Sequence, residues 1–121
     1  MTMTDQAIIW HNPRCSKSRD ALKQLQAAGI EIETRRYLDN PPTPDELDAI
    51  LKLLQLEPAH IVRTHETLYR ELGLKDKQLS RQQWLELLSQ HPKLIQRPIV
   101  IYRNRAVVAR PPEKVQDLLQ G

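Results

Sequence analysis

Cys15 is the only cysteine in a chain of 121 residues, and its neighbourhood, "HNPRCSKSR" over 11–19, is where covalent chemistry would start. It follows His11-Asn12-Pro13, lies between Arg14 and Lys17, and opens a helical pattern. The unpaired N–H groups of a helix's first turn, with the positive end of its dipole, favour an anion and so lower a thiol pKa. Arg14, Lys17 and Arg19 are expected to push the same way, and the Ser18 hydroxyl, three residues on, to hydrogen-bond the sulfur. The same geometry binds tetrahedral oxyanions. A lone cysteine is commonly a small buried hydrophobe. Here Asn12-Pro13 before it, a helix start after it and basic neighbours favour a nucleophile. Ser18 occupies the place of a resolving cysteine, so any turnover that oxidises Cys15 must finish with an external thiol, for which cytosolic glutathione is the natural candidate.

The elements that must position Cys15 are legible from periodicity. Ala7 to Trp10 is a short apolar run suited to a strand buried on both faces. Ser16 to Ala28 carries Leu22, Leu25 and Ala28 on one side and stops at Gly29, and Ile30 to Tyr37 begins as an alternating strand. This is a β-α-β unit, whose strands run parallel with a right-handed crossover. "NPPTPDE", residues 40 to 46, is a turn into a helix with Thr43 as N-cap and Pro44 at the first helical position. Leu47, Ile50, Leu51 and Leu54 make one apolar stripe. Shorter helical pieces are expected over Ala59 to Thr64 and Glu66 to Leu72, with Gly73 a stop and Ser80 the cap of a helix bearing Trp84, Leu85, Leu87 and Leu88. "IVIY" and "AVVA" follow Pro98 as strands around a hairpin at Arg103-Asn104-Arg105. A last helix gathers Val115, Leu118 and Leu119. The order β-α-β, helical insertion, β-β-α matches an α/β, thioredoxin-like fold with a four-stranded mixed sheet. One domain, 1–121, is expected, with the insertion at about 44–91.

Composition narrows the function. An apolar fraction of 40% and a charged fraction of 27% are those of a water-soluble globular protein. The net charge of +3 is too mild to argue for nucleic acid, though it tolerates a small anionic substrate. No apolar window is long enough to span a bilayer, and "MTMTDQ" lacks the regions of a signal peptide, so a cytoplasmic location is expected. His60 and His65 are five apart rather than on the i, i+4 face of a zinc helix, and His11 with Cys15 makes only two ligands, so no metal is expected. No glycine-rich phosphate cradle is present, so no tightly bound cofactor is expected either.

Four motifs in order, "HNPRCSKSR", "YLDNPPTPDEL", "HPKLIQRPIV" and "ARPPEKV", resemble those of the ArsC family, the arsenate reductases that work with glutathione and glutaredoxin. The chain looks like that family's short branch, often labelled YfgD. The resemblance implies a nucleophile at Cys15, with Arg63, Arg97 and Arg110 around the oxyanion and His11 near the thiolate. Asn12 and Ser18 belong to the same loop. Pro98 resembles the cis proline that faces the active cysteine in thioredoxin-like folds. Three guanidiniums would screen the repulsion between thiolate and arsenate and stabilise charge as oxygen leaves. Arg97 and Arg110 each precede a proline at a junction between elements, whereas the sequence around Arg63 departs furthest from the family pattern. Arg14, Arg35, Arg36, Arg70, Arg81, Arg103 and Arg105 read as solvated or structurally paired. The implied partners are arsenate or a similar oxyanion, glutathione and glutaredoxin. Two other classes fit the fold: a regulatory binding protein like the Spx proteins, which typically carry CxxC where this chain has CxxS, and a glutathione-dependent thiol oxidoreductase that does not act on arsenate. The longer members of the family continue beyond their last helix, whereas this sequence ends at Gly121.

Overall fold

The structure, a computed structural model, describes residues 6–120. In chain order its elements are β1 (Gln6–Trp10), α1 (Ser16–Ala27), β2 (Glu31–Arg35), α2 (Pro44–Leu54), α3 (Thr67–Glu71), α4 (Arg81–Gln90), β3 (Ile99–Tyr102), β4 (Arg105–Val108) and α5 (Lys114–Gln120). Single 3-10 turns occupy Pro58–Ile61, Leu74–Asp76 and Pro92–Leu94. The chain forms two compact units, Met1–Asn40 with Arg97–Gly121, and Pro41–Gln96. The expected helical insertion falls inside the second.

In the first unit the sheet order is β2-β1-β3-β4, with β1 parallel to β2 and antiparallel to β3, and β3 antiparallel to β4. This is the four-stranded mixed sheet of a thioredoxin-like α/β fold. The apolar run of β1 takes a central position, and Ala7, Ile9 and Trp10 are buried. The edge strand β2 instead exposes Glu31, Glu33 and Thr34. Ala7 and Ile9 from β1 and Val100 and Tyr102 from β3 pack with Ala21 and Leu25 of α1 and Val115 and Leu118 of α5. Each Ile, Val or Leu side chain among these contributes on the order of 1.5–3 kcal/mol on leaving water, which anchors α1, and with it Cys15, against the sheet. Gly29, at φ 72, closes α1 in the left-handed conformation that only glycine adopts freely.

The second unit is helical. Thr43 and Ser80 cap α2 and α4 through reciprocal capping boxes with Glu46 and Gln83, and Pro44 opens α2. Leu47, Ile50 and Leu51 of α2 and Leu85 and Leu88 of α4 supply its buried apolar faces. An antiparallel bridge joins Val62 to Ile95, flanked by Arg63 N–H to Leu94 O and Gln96 N–H to Ile61 O, both 2.7 Å.

Boundaries differ from the periodicity reading where local hydrogen bonding decides. The piece expected over Ala59 to Thr64 is one 3-10 turn at Pro58–Ile61, and a further such turn follows Gly73. The hairpin loop has two residues, Arg103 (φ 52) and Asn104 (φ 60), so Arg105 belongs to β4 opposite Tyr102. Two positive φ angles give a turn whose twist matches that of the strands. The second strand is shorter than expected, ending at Arg35 rather than Tyr37.

Candidate active site

The segment 11–18 between β1 and α1 is stitched by its own polar groups. Cys15 N–H donates to Asn12 O at 2.9 Å, and Arg14 N–H to Asn12 Oδ1 at 3.0 Å. Arg19 Nη1 donates to Pro13 O at 2.9 Å, and Asn12 N–H to Ser18 Oγ at 3.0 Å. Ser18 Oγ also lies 2.6 Å from His11 Nδ1, and both side chains are buried. Cys15 thereby becomes the N-cap of α1, with no side-chain cap hydrogen bond and no acidic residue in the first turn.

Burial alone would raise the Cys15 thiol pKa, but four influences outweigh it and the net direction is down. The largest is the Ser18 backbone N–H, followed by the charge of Arg97, the Lys17 backbone N–H and a hydrogen bond from Arg97. The expected electrostatics are therefore corrected in two respects. Of the basic residues close in sequence, Lys17 acts through its main chain, and Arg19 holds the Pro13 carbonyl. The effective guanidinium is Arg97, from the far end of the chain. The Ser18 hydroxyl, expected on the sulfur, is engaged with His11 and Asn12, and it is the Ser18 backbone that meets the sulfur.

Sheet register explains why Arg97 is there. Trp10 pairs with Ile99 across antiparallel β1 and β3, so the residues just before β3 lie at the end of the sheet from which the Cys15 loop leaves β1. The Arg97–Pro98 peptide is cis, as is Arg110–Pro111. Arg97 keeps Nε and Nη1 buried without a hydrogen-bond partner. Leaving such donors unsatisfied is costly unless an anion takes them. Arg110 Nη1 donates to the Arg97 carbonyl at 3.2 Å, and Ala109 N–H donates to Pro98 O at 2.8 Å, which ties the start of β3 to the end of β4. His11 has its pKa lowered, by burial first and then by the charges of Arg36 and Arg19, so near neutral pH it is an uncharged partner of Ser18.

The first unit thus gathers His11, Asn12, Cys15, Ser18, Arg97, Pro98 and Arg110. Arg63 belongs to the second unit, where Nη1 meets Glu66 Oε1 at 3.1 Å and Lys93 O at 3.4 Å. The cationic atoms at the sulfur could not be found from local spacing, because the pairing that delivers Arg97 spans most of the chain. Among the described residues, no group of three His, Cys, Asp or Glu side chains is arranged to hold a metal ion. Nor is any helix there long and apolar enough to cross a membrane.

Residues 10–118 match the model of the ArsC family. An Escherichia coli protein described as uncharacterized protein YfgD is 42% identical over 118 residues, covering 97% of this chain and 99% of that protein. A Neisseria meningitidis protein named arsenate reductase is 44% identical over 112 residues, covering 92% of this chain and 96% of its relative. The solved structure of an arsenate reductase from Vibrio cholerae superposes with a TM-score of 0.90 at 40% identity, over 95% of this chain and 98% of that one.

Proposed function

This chain belongs to the ArsC family, and from that premise we propose that it is an arsenate reductase of the glutathione and glutaredoxin type, with Cys15 as nucleophile. The observation that carries the reading is a thiol of lowered pKa at the N-terminus of α1, beside a guanidinium with two buried, unpartnered nitrogens. A thiolate and an oxyanion repel each other, and fixed donors that already face both reduce that cost without reorganising.

The Cys15 thiolate attacks arsenate, forming a sulfur–arsenic(V) bond as one arsenic oxygen leaves as water after taking up protons. The backbone N–H groups of Lys17 and Ser18 hold the sulfur before attack, and Arg97 takes the oxyanion's charge. Arg110, tethered to the Arg97 carbonyl, is a second guanidinium for the same oxygens, and Arg63 is the third implied by the family pattern. Glutathione then attacks the Cys15 sulfur. The sulfur–sulfur bond forms as the sulfur–arsenic bond breaks, and the electron pair goes to arsenic, which leaves as arsenite. Because no second cysteine exists, a second glutathione, delivered through glutaredoxin, clears the mixed disulfide. The net reaction consumes two glutathiones per arsenate and yields arsenite, glutathione disulfide and water.

The test is arsenate-dependent NADPH oxidation coupled through glutathione reductase, with glutathione and glutaredoxin present. Wild type turns over, and Cys15→Ser is reduced to background. Turnover that survives Cys15→Ser, or wild-type inactivity with arsenate, overturns the reading.

A further inference from the structure

Beside the Cys15 loop lies a cavity of about 220 Å³ lined by His11, Asn12, Pro13, Arg14, Arg36, Leu38 and Asp39. We infer that this cavity binds the α-amino-acid head group of the thiol co-substrate, its carboxylate on Arg14 and Arg36 and its ammonium on Asp39. The inference rests on the reading above for the need for an external thiol; the cavity's chemistry names which end of that thiol is held and by what.

Three observations select this ligand. The first is place. One wall of the cavity is Asn12-Pro13-Arg14, the three residues that deliver Cys15, and the Cys15 N–H is bonded to Asn12 O at 2.9 Å. A thiol anchored there is held beside the segment that carries the nucleophile. That wall is held by the Arg14 N–H bond to Asn12 Oδ1 and the Arg19 bond to Pro13 O, so the cavity is formed before the ligand arrives.

The second is charge. Arg36 Nε lies 3.2 Å from Asp39 Oδ2, with both side chains well exposed, at 63% and 68%. An exposed pair of this kind holds itself together weakly. A ligand that offers a carboxylate to the guanidinium and an ammonium to the carboxylate replaces that pair with two. Arg14 adds a cation with no carboxylate partner among the described residues. A bare polyanion, by contrast, would meet the Asp39 charge at close range, so the cavity suits a zwitterion better than arsenate.

The third is size. Sites that enclose a whole drug-sized ligand run to roughly 300–1,000 Å³. At about 220 Å³ this one suits one end of a small peptide, leaving the rest to reach along the loop. Leu38, 40% exposed, supplies an apolar patch for the methylenes behind the head group. Arg14 and Arg36, read from sequence as solvated, are on this view the specificity determinants for the reductant.

Two measurements on the full chain test the inference. In the first, S-methylglutathione, which cannot reduce anything, is titrated into the protein and followed by amide NMR. Saturable shifts at Arg14, Arg36, Leu38 and Asp39 are expected, lost in Arg36→Gln and Asp39→Asn and absent with glutathione acetylated on its α-amino group. Shifts that avoid these residues, or that inorganic phosphate or acetylated glutathione reproduces, overturn it. In the second, turnover with glutathione is compared with turnover with mercaptoethanol, which has no head group. The preference for glutathione is expected to fall about tenfold in either variant, and an unaltered preference overturns the assignment. The binding arm needs no turnover, so saturable shifts in a protein inactive with arsenate support the cavity while removing only the reductase reading.

Discussion

The N-termini of α2 and α4 in the second unit and of α1 in the first are finished in opposite ways. In the second unit Thr43 and Ser80 accept hydrogen bonds from the backbones of Glu46 and Gln83, whose side chains bond back. Its ionic groups follow the same pattern. Arg81 reaches Asp48 at 2.9 Å and Glu57 at 3.4 Å, and hydrogen bonds from Arg81 and then Lys52 hold the Asp48 carboxyl below its ordinary pKa. In the first unit α1 begins at Cys15, a poor cap, and its first-turn donors face a sulfur. Charge divides likewise: eleven Lys or Arg against seven Asp or Glu in the first unit, seven against eight in the second. α2 and α4 close their first turns with their own side chains, whereas the sheet unit holds the first-turn donors of α1 and two nitrogens of Arg97 in reserve. Reserved donors cost stability and are retained where an anion is to be received.

The strongest way to break that contrast is to remove the reserved cation. Arg97→Ala is expected to lower arsenate-dependent turnover by roughly 10²–10³-fold, the range for losing one preorganised charge-stabilising donor. It should also raise the pH midpoint for alkylation of Cys15 by iodoacetamide, because the charge and hydrogen bond that favour the thiolate are gone. The linked stability effect has a definite sign. The folded thiol's pKa is lowered, so the wild type's advantage from ionising Cys15 is fully present above the ordinary thiol value of about 8.5 and is lost as pH falls through the folded value. Urea denaturation of wild type and Arg97→Ala across that window should show the wild type gaining more as pH rises. Equal pH slopes would detach Arg97 from the sulfur.

A smaller effect sharpens the contrast from within the loop. Ser18→Ala removes the partner of buried His11 and the acceptor for Asn12 N–H, and should cost about 1–3 kcal/mol by urea denaturation. The Ser18 backbone N–H survives the change, so the Cys15 alkylation midpoint should move less than in Arg97→Ala. A larger movement would give the hydroxyl the direct role on sulfur that the sequence suggested. The smallest effect belongs to the helical unit: Thr43→Ala and Ser80→Ala should each cost about 1 kcal/mol. Neither should move the alkylation midpoint, since each cap serves only its own helix.

Most of the framework was legible because it is local. The apolar run of β1, the stripe of α2, the caps at Thr43 and Ser80, and the stops at Gly29 and Gly73 are each set by residues within a turn or two. The placement of Cys15 as N-cap is of that kind too. Less legible were features set by competition between nearby hydrogen bonds. These include the two-residue turn at Arg103-Asn104, the 3-10 turn at Pro58–Ile61 and the partners of the Ser18 hydroxyl. The cis Arg110–Pro111 peptide was not anticipated at all.

By itself, then, the sequence determined where helices begin and end, which strand lies at the centre, and that a single thiol sits at the opening of α1 with no internal partner to reduce it. Periodicity, caps and composition act over short stretches of chain, so they survive without knowledge of the fold. The family resemblance named Arg97 together with Arg63 and Arg110, and only the tertiary structure decided which of these cations faces that thiol. Arg14, Lys17 and Arg19 are close along the chain, but side chains around a helix's first turn point in different directions. Antiparallel pairing of β1 with β3 brings Arg97 to the sulfur, and the path of the chain after β2 brings Arg36 and Asp39 to the cavity beside the loop. Both are long-range events, and no spacing within the sequence encodes them.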